Sequence, residues 1–545
     1  MTDNSPSNSP AAGVGAGSDA SSLAREPWKP RFNPWLIGVV VALAAFMEVL
    51  DTSIANVALP YMAGSLGASN DQATWVLTSY LVSNAIVLPI SGWFANAFGR
   101  KRFFMICLVI FTVSSVLCGS APSLTAILAF RVLQGAGGGG LQPMAQAIMA
   151  DTFPPEKRGL AFALYGITAI VAPTIGPTLG GWITDNYTWR WIFFINLPVG
   201  ILTLFLVYRI VEDPPWVKER AGAGVKIDYI GVALLTLGVA CLQIMLDKGQ
   251  EDDWFGSHFI VTLAVLAGVG LLSLVVWEWF YKNPIIEVRL FKNLNFLGAN
   301  AMMFIVGIML FSSLVMMPLF LQTLLGYTSE SAGLVLSGGG LLLLLLMPVV
   351  GALAGRVQSR YLIAFGWLML SIGMFYSIRQ LDLQISFGSA TVLRMTQVFG
   401  LAFLFVPINL IGFSSAPLEK SNSASGLINF MRNIGSSVGT SMVTTVLARR
   451  AQVRQVYLVR HIAPGQPTFN QAAASLAARL AASGVQADLA AEKALGLLYR
   501  SLIGQATTLA YIDTFGILGG GAAIMFFLSF ALKKNQPGGG SVVME

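Results

Sequence analysis

Charged residues are scarce in this sequence: Asp, Glu, Lys and Arg together make up 11% of its 545 residues, against about 25% in ordinary soluble domains. A soluble chain of this size needs charge to cover its surface, so most of this surface faces something other than water. Hydrophobic residues make up 55% of the chain and come in long runs, such as residues 35–49 and 334–350. Runs of about twenty apolar residues match the hydrocarbon core of a bilayer. The composition therefore excludes a soluble globular protein and predicts a membrane protein.

Cysteine and histidine are also rare, with three and two residues. The three cysteines fall inside apolar stretches, which predicts inert packing and gives neither a disulfide framework nor a metal spacing. The glycine-rich run 135–140 follows no strand and precedes no Lys-Ser/Thr pair, so it is not a nucleotide-binding loop. We therefore expect no enzyme: no catalytic residue, no metal and no cofactor. Lys and Arg sit mostly in short connections between apolar runs, which indicates membrane orientation rather than nucleic-acid binding.

The apolar runs predict an all-α polytopic membrane protein with 14 transmembrane helices. The predicted spans are 35–58, 73–95, 103–120, 124–150, 159–183, 191–211, 228–247, 258–281, 295–325, 333–355, 361–378, 390–414, 425–448 and 507–532. Most Lys and Arg of the short connections then fall on one side, and the positive-inside rule places both termini in the cytoplasm.

The spans divide the chain into seven predicted segments. These are a disordered cytoplasmic tail at 1–33, an N-terminal six-helix half at 34–211, two inserted helices with cytoplasmic linkers at 212–290, the first five helices of the C-terminal half at 291–448, a long periplasmic loop at 449–506, the last helix at 507–532 and a cytoplasmic tail at 533–545. The sequence Arg-Val-Leu-Gln at 131–134 is echoed by Arg-Met-Thr-Gln at 394–397. Such weak duplication is typical of transporters built from related halves with a substrate site between them.

The predicted loop 449–506 is too long for a simple turn. Its segments 471–482 and 488–502 are rich in Ala and Leu, with polar residues at helical spacing, which predicts two amphipathic helices. Their apolar stripes, which include Leu476, Leu480 and Leu495, either bind a partner or fold back over the transporter itself.

Three charges lie deep in predicted helices of the first half. Glu48 and Asp51 are three residues apart in the first span, so they project from one face. A charge at mid-membrane costs about 2.5–3.5 kcal/mol on insertion scales, and such residues are usually functional. The two acids are candidates for a proton-carrying site, with ion pairing between helices as the alternative and contact with cationic substrates as a further role for Glu48. Arg131 either pairs with an acid or holds loop carbonyls.

Five motifs in chain order resemble the fourteen-helix drug:proton antiporter branch of the major facilitator superfamily, and within it EmrB-type exporters. They are LDTSIANVALP at 50–60, GWFANAFGRKR at 92–102, RVLQGAG at 131–137, PTIGPTLGG at 173–181 and WRWIFFINLP at 189–198. The resemblance implies proton coupling by Asp51, Glu48 and Arg131. It implies gating by the loop residues Gly92, Asn96, Gly99, Arg100 and Lys101, and an export-linked antiporter motif at Pro173, Gly176, Pro177, Gly180 and Gly181. The acid usual at the fifth loop position is Asn96 here, which weakens the expected lock of the inner gate.

The resemblance also implies a function. It predicts a proton-coupled antiporter that exports small hydrophobic or amphipathic drugs across the bacterial inner membrane by alternating access. It further implies a periplasmic adaptor of the EmrA type and an outer-membrane channel as partners of the long loop. Polar and aromatic residues of the spans that are candidates for the substrate cavity are Asn84, Gln142, Gln146, Tyr165 and Phe403. Export of an endogenous metabolite or lipid, and a non-transporting membrane sensor or scaffold, are the alternatives.

Overall fold

The computed structural model describes residues 30–215, 227–417, 420–460 and 466–533. The regular structure of these residues is helical. The predicted disordered tail falls mainly on residues 1–29, and the C-terminal tail on 534–545; both stretches lie outside the described residues, as does the linker stretch 216–226. The helices of the first part are α1 (Pro34–Leu66), α2 (Asn70–Phe98), α3 (Arg100–Gly119), α4 (Leu124–Thr152), α5 (Arg158–Asn186), α6 (Trp191–Phe194), α7 (Asn196–Ile210), α8 (Tyr229–Lys248) and α9 (His258–Phe280). The remaining helices are α10 (Leu294–Leu325), α11 (Ser329–Ala354), α12 (Ser359–Gln380), α13 (Phe387–Ser414), α14 (Ser421–Val459), α15 (Pro467–Ala482) and α16 (Ala487–Leu528).

The described helices make fourteen membrane crossings. By length and composition, 12 helical segments are apolar enough to span a bilayer, with α6 and α7 joined into one of them. The other two crossings are α4, which carries a glycine-rich run and Arg131, and α14, which is rich in Ser and Asn. Both pack inside the bundle, where other helices rather than lipid surround their polar residues. The predicted fold class is therefore confirmed.

Two similar halves are formed by α1–α7 and α10–α16. In the first half α1 packs on α4 and α5, and in the second half α10 packs in the same way on α13 and α14. The halves meet along two helix pairs, α5 with α11 and α2 with α14. The inserted helices α8 and α9 pack on each other, and α8 also contacts α2 and α14. This arrangement is the predicted six-plus-two-plus-six order.

The region predicted as the loop 449–506 is largely helix. α14 continues to Val459, α15 matches the first predicted amphipathic segment, and α16 joins the predicted segment 488–502 to the predicted last helix in one helix of 42 residues. The Ala- and Leu-rich sequence after residue 487 contains good helix formers and no proline, so the backbone has no reason to stop at the membrane boundary. Arg454 of α14 donates to both carboxylate oxygens of Asp513 on α16, at 2.9 and 2.6 Å, and so joins the two long helices.

Candidate functional site

The centre of the first half contains a buried ion pair between α1 and α4. Asp51 is 2% exposed and Arg131 is fully buried. Arg131 Nη1 donates to Asp51 Oδ2 at 2.6 Å. The side-chain amides of Gln134 and Asn196 donate to Asp51 Oδ1 at 2.9 and 2.7 Å. The carboxylate is thus held by one cation and two neutral donors from α4 and α7.

The guanidinium of Arg131 also binds the neighbouring helix α2. Its Nε donates to the Val76 carbonyl at 3.1 Å, and its central carbon lies 4.2 Å from the centre of the Tyr80 ring. Arg131 is thus paired with an acid, and the carbonyl that it also binds belongs to the helix α2 and not to a loop. Loss of one partner of a buried ion pair costs about 3–5 kcal/mol. The pair with Asp51 consequently fixes α1, α2 and α4 to one another.

Glu48, one turn before Asp51, has a different environment. It is 3% exposed, and its Oε1 accepts from Tyr80 Oη and Asn84 Nδ2, both at 3.0 Å. Its Oε2 accepts from the Gln142 side-chain amide. These donors are all neutral, and no Lys or Arg of the described residues forms an ion pair with Glu48. The two predicted acids are therefore distinct: one is paired with a cation and the other is not.

Gln142 links Glu48 to the second half. While its amide nitrogen donates to Glu48, its Oε1 accepts from Arg432 on α14. Tyr165 Oη lies 2.8 Å from the same Gln142 oxygen and 3.1 Å from Asn429 Oδ1 of α14. A chain of hydrogen bonds thus runs from the Glu48 carboxylate across the interface to the Arg432 guanidinium.

A second group of amides extends this contact between the halves. Gln146 on α4 donates to Asn409 Oδ1 of α13 at 3.3 Å and accepts from Asn429 Nδ2 at 2.7 Å. Sequence reasoning missed Asn409 and Asn429. The amide of Asn409 inside an apolar span was a usable signal, whereas Asn429 is one of several polar residues of α14 and does not stand out. Three of the five predicted cavity residues, Gln142, Gln146 and Tyr165, therefore contact the second half. Asn84 lies within the first half and joins this group through its hydrogen bond to Glu48.

Phe403 is the exception and lies in an aromatic cluster of the second half. Its ring centre is 4.9 Å from that of Phe365 and 5.5 Å from that of Phe399. Phe365 is 39% exposed on the outer surface of α12. The structure therefore places Phe403 apart from the other four candidates, and its assignment to the substrate cavity stays a prediction.

The loop motif between α2 and α3 lies where the halves touch. A side chain at Gly92 would come within 2.7 Å of the Ser423 backbone, so only glycine permits this approach of α2 to α14. Asn96 Oδ1 accepts from Asn422 Nδ2 of α14 at 2.8 Å. Gly99 then turns the chain from α2 into α3 with φ of 87°, a conformation that glycine adopts at low cost. Asn96 thus still contacts the partner half, but through a neutral hydrogen bond.

The basic residues of the motif hold this contact in place. Arg100 is 2% exposed and forms an ion pair with Asp151 at the end of α4. Its Nη2 also donates to Ser421 Oγ of α14 at 2.8 Å. Lys101 Nζ donates to the Tyr208 carbonyl of α7 at 2.6 Å, within its own half. The acid that Arg100 needs therefore comes from α4 instead of from position 96.

The proline- and glycine-rich motif of α5 packs against α1 next to the two acids. Ser53 Oγ donates to the Pro173 carbonyl at 3.0 Å. A Cβ at Gly176 would lie 2.3 Å from Ser53 Oγ, and one at Gly180 would lie 3.1 Å from the Ile54 side chain. α1 and α5 are therefore in backbone-close contact within one turn of Asp51.

The glycines of this motif differ in how much space surrounds them, which gives a testable contrast. α5 continues through Pro177, and a Cβ at Gly181 would meet no atom within 4 Å. We expect Gly176→Ala to destabilise the protein by about 1–3 kcal/mol through overpacking against Ser53. Gly181→Ala should be neutral or slightly stabilising, because Ala is the better helix former. Thermal unfolding of the two purified variants measures this, and equal midpoints would contradict the packing described.

Comparison with known proteins gives relatives over nearly the whole chain. The family model described as Major Facilitator Superfamily matches residues 41–440. The "Multidrug export protein EmrB" of Haemophilus influenzae is 41% identical over 432 residues, which cover 79% of this chain and 84% of that protein. The protein of the same name from Escherichia coli strain K12 is 35% identical over 505 residues, which cover 93% of this chain and 96% of that protein.

Two further similarities concern another resistance protein and the fold. The "Fatty acid resistance protein FarB" of Neisseria gonorrhoeae is 39% identical over 452 residues, 83% of this chain and 88% of that protein. Among solved structures, the proton:xylose symporter XylE superimposes with a TM-score of 0.59 at 16% identity, over 92% of this chain and 96% of that one. At this identity the likeness shows a shared fold and nothing more.

Proposed function

Because the chain belongs to the Major Facilitator Superfamily, as one of its EmrB-type multidrug exporters, we propose that it is a proton-coupled antiporter that works by alternating access. Its substrates are hydrophobic or amphipathic drugs, and it moves them out across the inner membrane that its many apolar helices span. Both termini lie in the cytoplasm. The proton gradient is the sole energy source, and no cofactor takes part.

The observation that carries the proposal is the pair of buried acids on α1 with different partners. Asp51 is tied to Arg131 inside the first half, and Glu48 is tied through Gln142 to Arg432 of the second half. A proton on Asp51 removes the negative charge that holds Arg131, and so weakens the attachment of α1 to α4. Glu48, which lacks a cation, is the acid free to exchange its neutral donors for a positively charged substrate.

Helix contacts connect Asp51 to the interface between the two halves, so that a movement of α1 reaches the second half. Ser53 of α1 is bound to Pro173 of α5, and α5 in turn packs along α11 of the second half. A shift of α1 therefore displaces α5, and α5 cannot move without altering its contact with α11. Glu48 and Asp51 share α1, so protonation of one acid and substrate binding at the other act on the same helix.

The contacts around the loop motif form the inner gate in this proposal. Asn96 with Asn422, and Arg100 with Ser421, close the end of the bundle where the motif lies. A neutral Asn96–Asn422 bond is about half as strong as a charge-assisted one. The gate should therefore open more readily than one with the family acid.

We expect Asn96→Asp to shift the protein toward the state closed on the inside. Asn422 Nδ2 would then donate to a carboxylate, a gain of about 1 kcal/mol over the neutral bond, or roughly a fivefold change in the population ratio. Accessibility of single cysteines in the cytoplasmic cavity to a soluble thiol reagent measures the shift. The double variant Asn96→Asp/Asn422→Ala should label like Asn422→Ala alone; unchanged labelling in Asn96→Asp would argue against the gate.

Export of an endogenous lipid or fatty acid is the second candidate. It is favoured by the similarity to FarB, whose name records fatty acid resistance, at an identity close to that of the EmrB relatives. The transport mechanism would be the same, and the two candidates differ in substrate alone.

Counter-movement of protons tests the proposed function directly. The purified chain is reconstituted into vesicles that contain a trapped pH-sensitive dye, and a lipophilic drug such as ethidium is added on one side. Drug entry should be accompanied by proton movement in the opposite direction, and an imposed proton gradient should drive drug accumulation. Drug movement that is indifferent to the proton gradient would exclude antiport, and an absence of drug movement would favour the second candidate.

A further inference from the structure

The second half contains a buried cation that has no acidic partner among the residues that the structure describes. Arg394 on α13 is 1% exposed, yet its sole hydrogen bond among the described residues is from Nη1 to Ser313 Oγ of α10, at 2.9 Å. Its Nε has no acceptor. No carboxylate of the described part of the chain lies within 4.0 Å of its guanidinium. A buried charge without a counter-charge is strongly unfavourable and calls for an explanation.

Comparison with the first half shows which group Arg394 lacks. Arg131 and Arg394 occupy the same place in the repeated Arg-x-x-Gln sequence, and each reaches the first helix of its own half. Arg131 finds Asp51 there, whereas Arg394 finds the neutral hydroxyl of Ser313. The pseudo-symmetric site of the second half thus keeps the cation and lacks the anion.

The surroundings of Arg394 connect it to the interface between the halves. It packs on the second of three consecutive glycines of α11: a Cβ at Gly339 would lie 3.0 Å from Arg394 Cγ, and one at Gly340 would lie 3.1 Å from Thr174 of α5. One glycine of α11 thus faces Arg394 and the next faces the first half. The interface between the halves therefore lies one helix away from Arg394.

We propose that Arg394 is the recognition site for the carboxylate of an amphipathic organic acid, with Ser313 as a second hydrogen-bonding group. A planar guanidinium binds a carboxylate through two parallel hydrogen bonds, and Nε and Nη atoms suit this geometry. The proposal rests on the proposed export function and names one class of its substrates. Glu48 in the first half would bind the positively charged group of a cationic substrate, and Arg394 in the second half would bind the carboxylate of an anionic one.

Laurate and its neutral amide, dodecanamide, are the probes, because they differ in the charge of the head group and hardly in the tail. At alkaline pH, where laurate is ionised, laurate should inhibit ethidium transport by the wild type at about tenfold lower concentration than dodecanamide, since a charge-assisted hydrogen bond is about twice as strong as a neutral one. It should also raise the thermal unfolding midpoint of the purified protein more than dodecanamide does.

Two variants remove the preference in opposite ways. Arg394→Gln deletes the cation, and Ser313→Asp supplies an internal carboxylate that copies the Asp51–Arg131 pair and occupies the guanidinium. In both, the ratio of inhibitory concentrations should fall to about one. Arg394→Lys and Ser313→Asn, which keep the charge and the neutral contact, should retain most of the preference.

The outcomes separate this inference from the proposed function. A laurate preference that survives in Arg394→Gln and Ser313→Asp overturns the role of Arg394 and leaves antiport intact. A wild type that moves no ethidium overturns the proposed function, while the unfolding midpoints still decide whether Arg394 selects the carboxylate. A wild type without any laurate preference in either measurement refutes the site.

Discussion

Drug accumulation driven by a proton gradient should fall to the level of empty vesicles in Asp51→Asn. The substitution keeps the size of the side chain and removes the group that takes up the proton, so the gradient can no longer act on the attachment of α1 to α4. Substrate exchange without a gradient needs no proton transfer and should persist. Transport by vesicles carrying Asp51→Asn, with and without an imposed gradient, measures the two activities separately.

Two comparisons make this result specific. Asp51→Glu retains a titratable carboxyl beside Arg131 and should keep part of the gradient-driven transport. Glu48→Gln should retain gradient-driven transport of neutral drugs and lose mainly that of cations, because Glu48 forms no ion pair with the Lys and Arg of the described residues. Since Asp51→Asn leaves Arg131 without a counter-charge, its folded state must be confirmed by size-exclusion chromatography. Wild-type accumulation by well-folded Asp51→Asn would move the coupling role to Glu48.

Replacement of residues 466–500 by a short Gly/Ser linker should abolish co-purification of a periplasmic adaptor protein and leave transport in isolated vesicles intact. The segment comprises α15 and the first part of α16. α15 packs on α16, with Leu476 and Leu480 half-buried, so this stripe folds back on the protein itself. Leu495 and Tyr499 of α16 remain 50% and 58% exposed. These exposed residues, and not those of α15, are the expected contact.

A variant of unchanged length sharpens that experiment. Leu495→Ser, Leu497→Ser and Tyr499→Ser together remove three exposed apolar side chains of α16 while α15 and the Arg454–Asp513 contact stay in place. Loss of the adaptor in this triple variant, with retained vesicle transport, identifies the surface. Adaptor binding that survives both changes would refute a docking role for the segment.

Much of the fold could be predicted from hydrophobicity alone. Each crossing is a long apolar run, and even the polar helices α4 and α14 contain enough apolar residues between their amides and glycines to be recognised. The ends of α14 and α16 could not be predicted in this way, because hydropathy reports where lipid ends, whereas a helix continues as long as its residues favour it. The Ala- and Leu-rich stretch from residue 487 is such a case.

The site could be predicted in part. The cost of burying charge pointed to Glu48, Asp51 and Arg131, and the structure places all three near one another. Which acid pairs with Arg131 could not be deduced, since residues three apart on a helix are equally close to a neighbouring helix until the register between α1 and α4 is known. Gln142 and Arg432 are 290 residues apart in sequence and lie in different halves. A single sequence does not show which residues of two such distant helices face each other.

The length of α16 has a mechanical consequence. A helix of 42 residues is about 63 Å long, roughly twice the hydrocarbon thickness of a bilayer, so about half of it projects from the membrane as a stiff rod. Because Arg454 and Asp513 clamp this rod to α14, a rocking motion of the second half turns both together. The displacement of a lever grows with distance from its pivot, and a tilt of a few degrees in the membrane becomes several ångströms at the tip. If transport proceeds by the alternating access proposed above, a protein bound at the tip is displaced in every transport cycle.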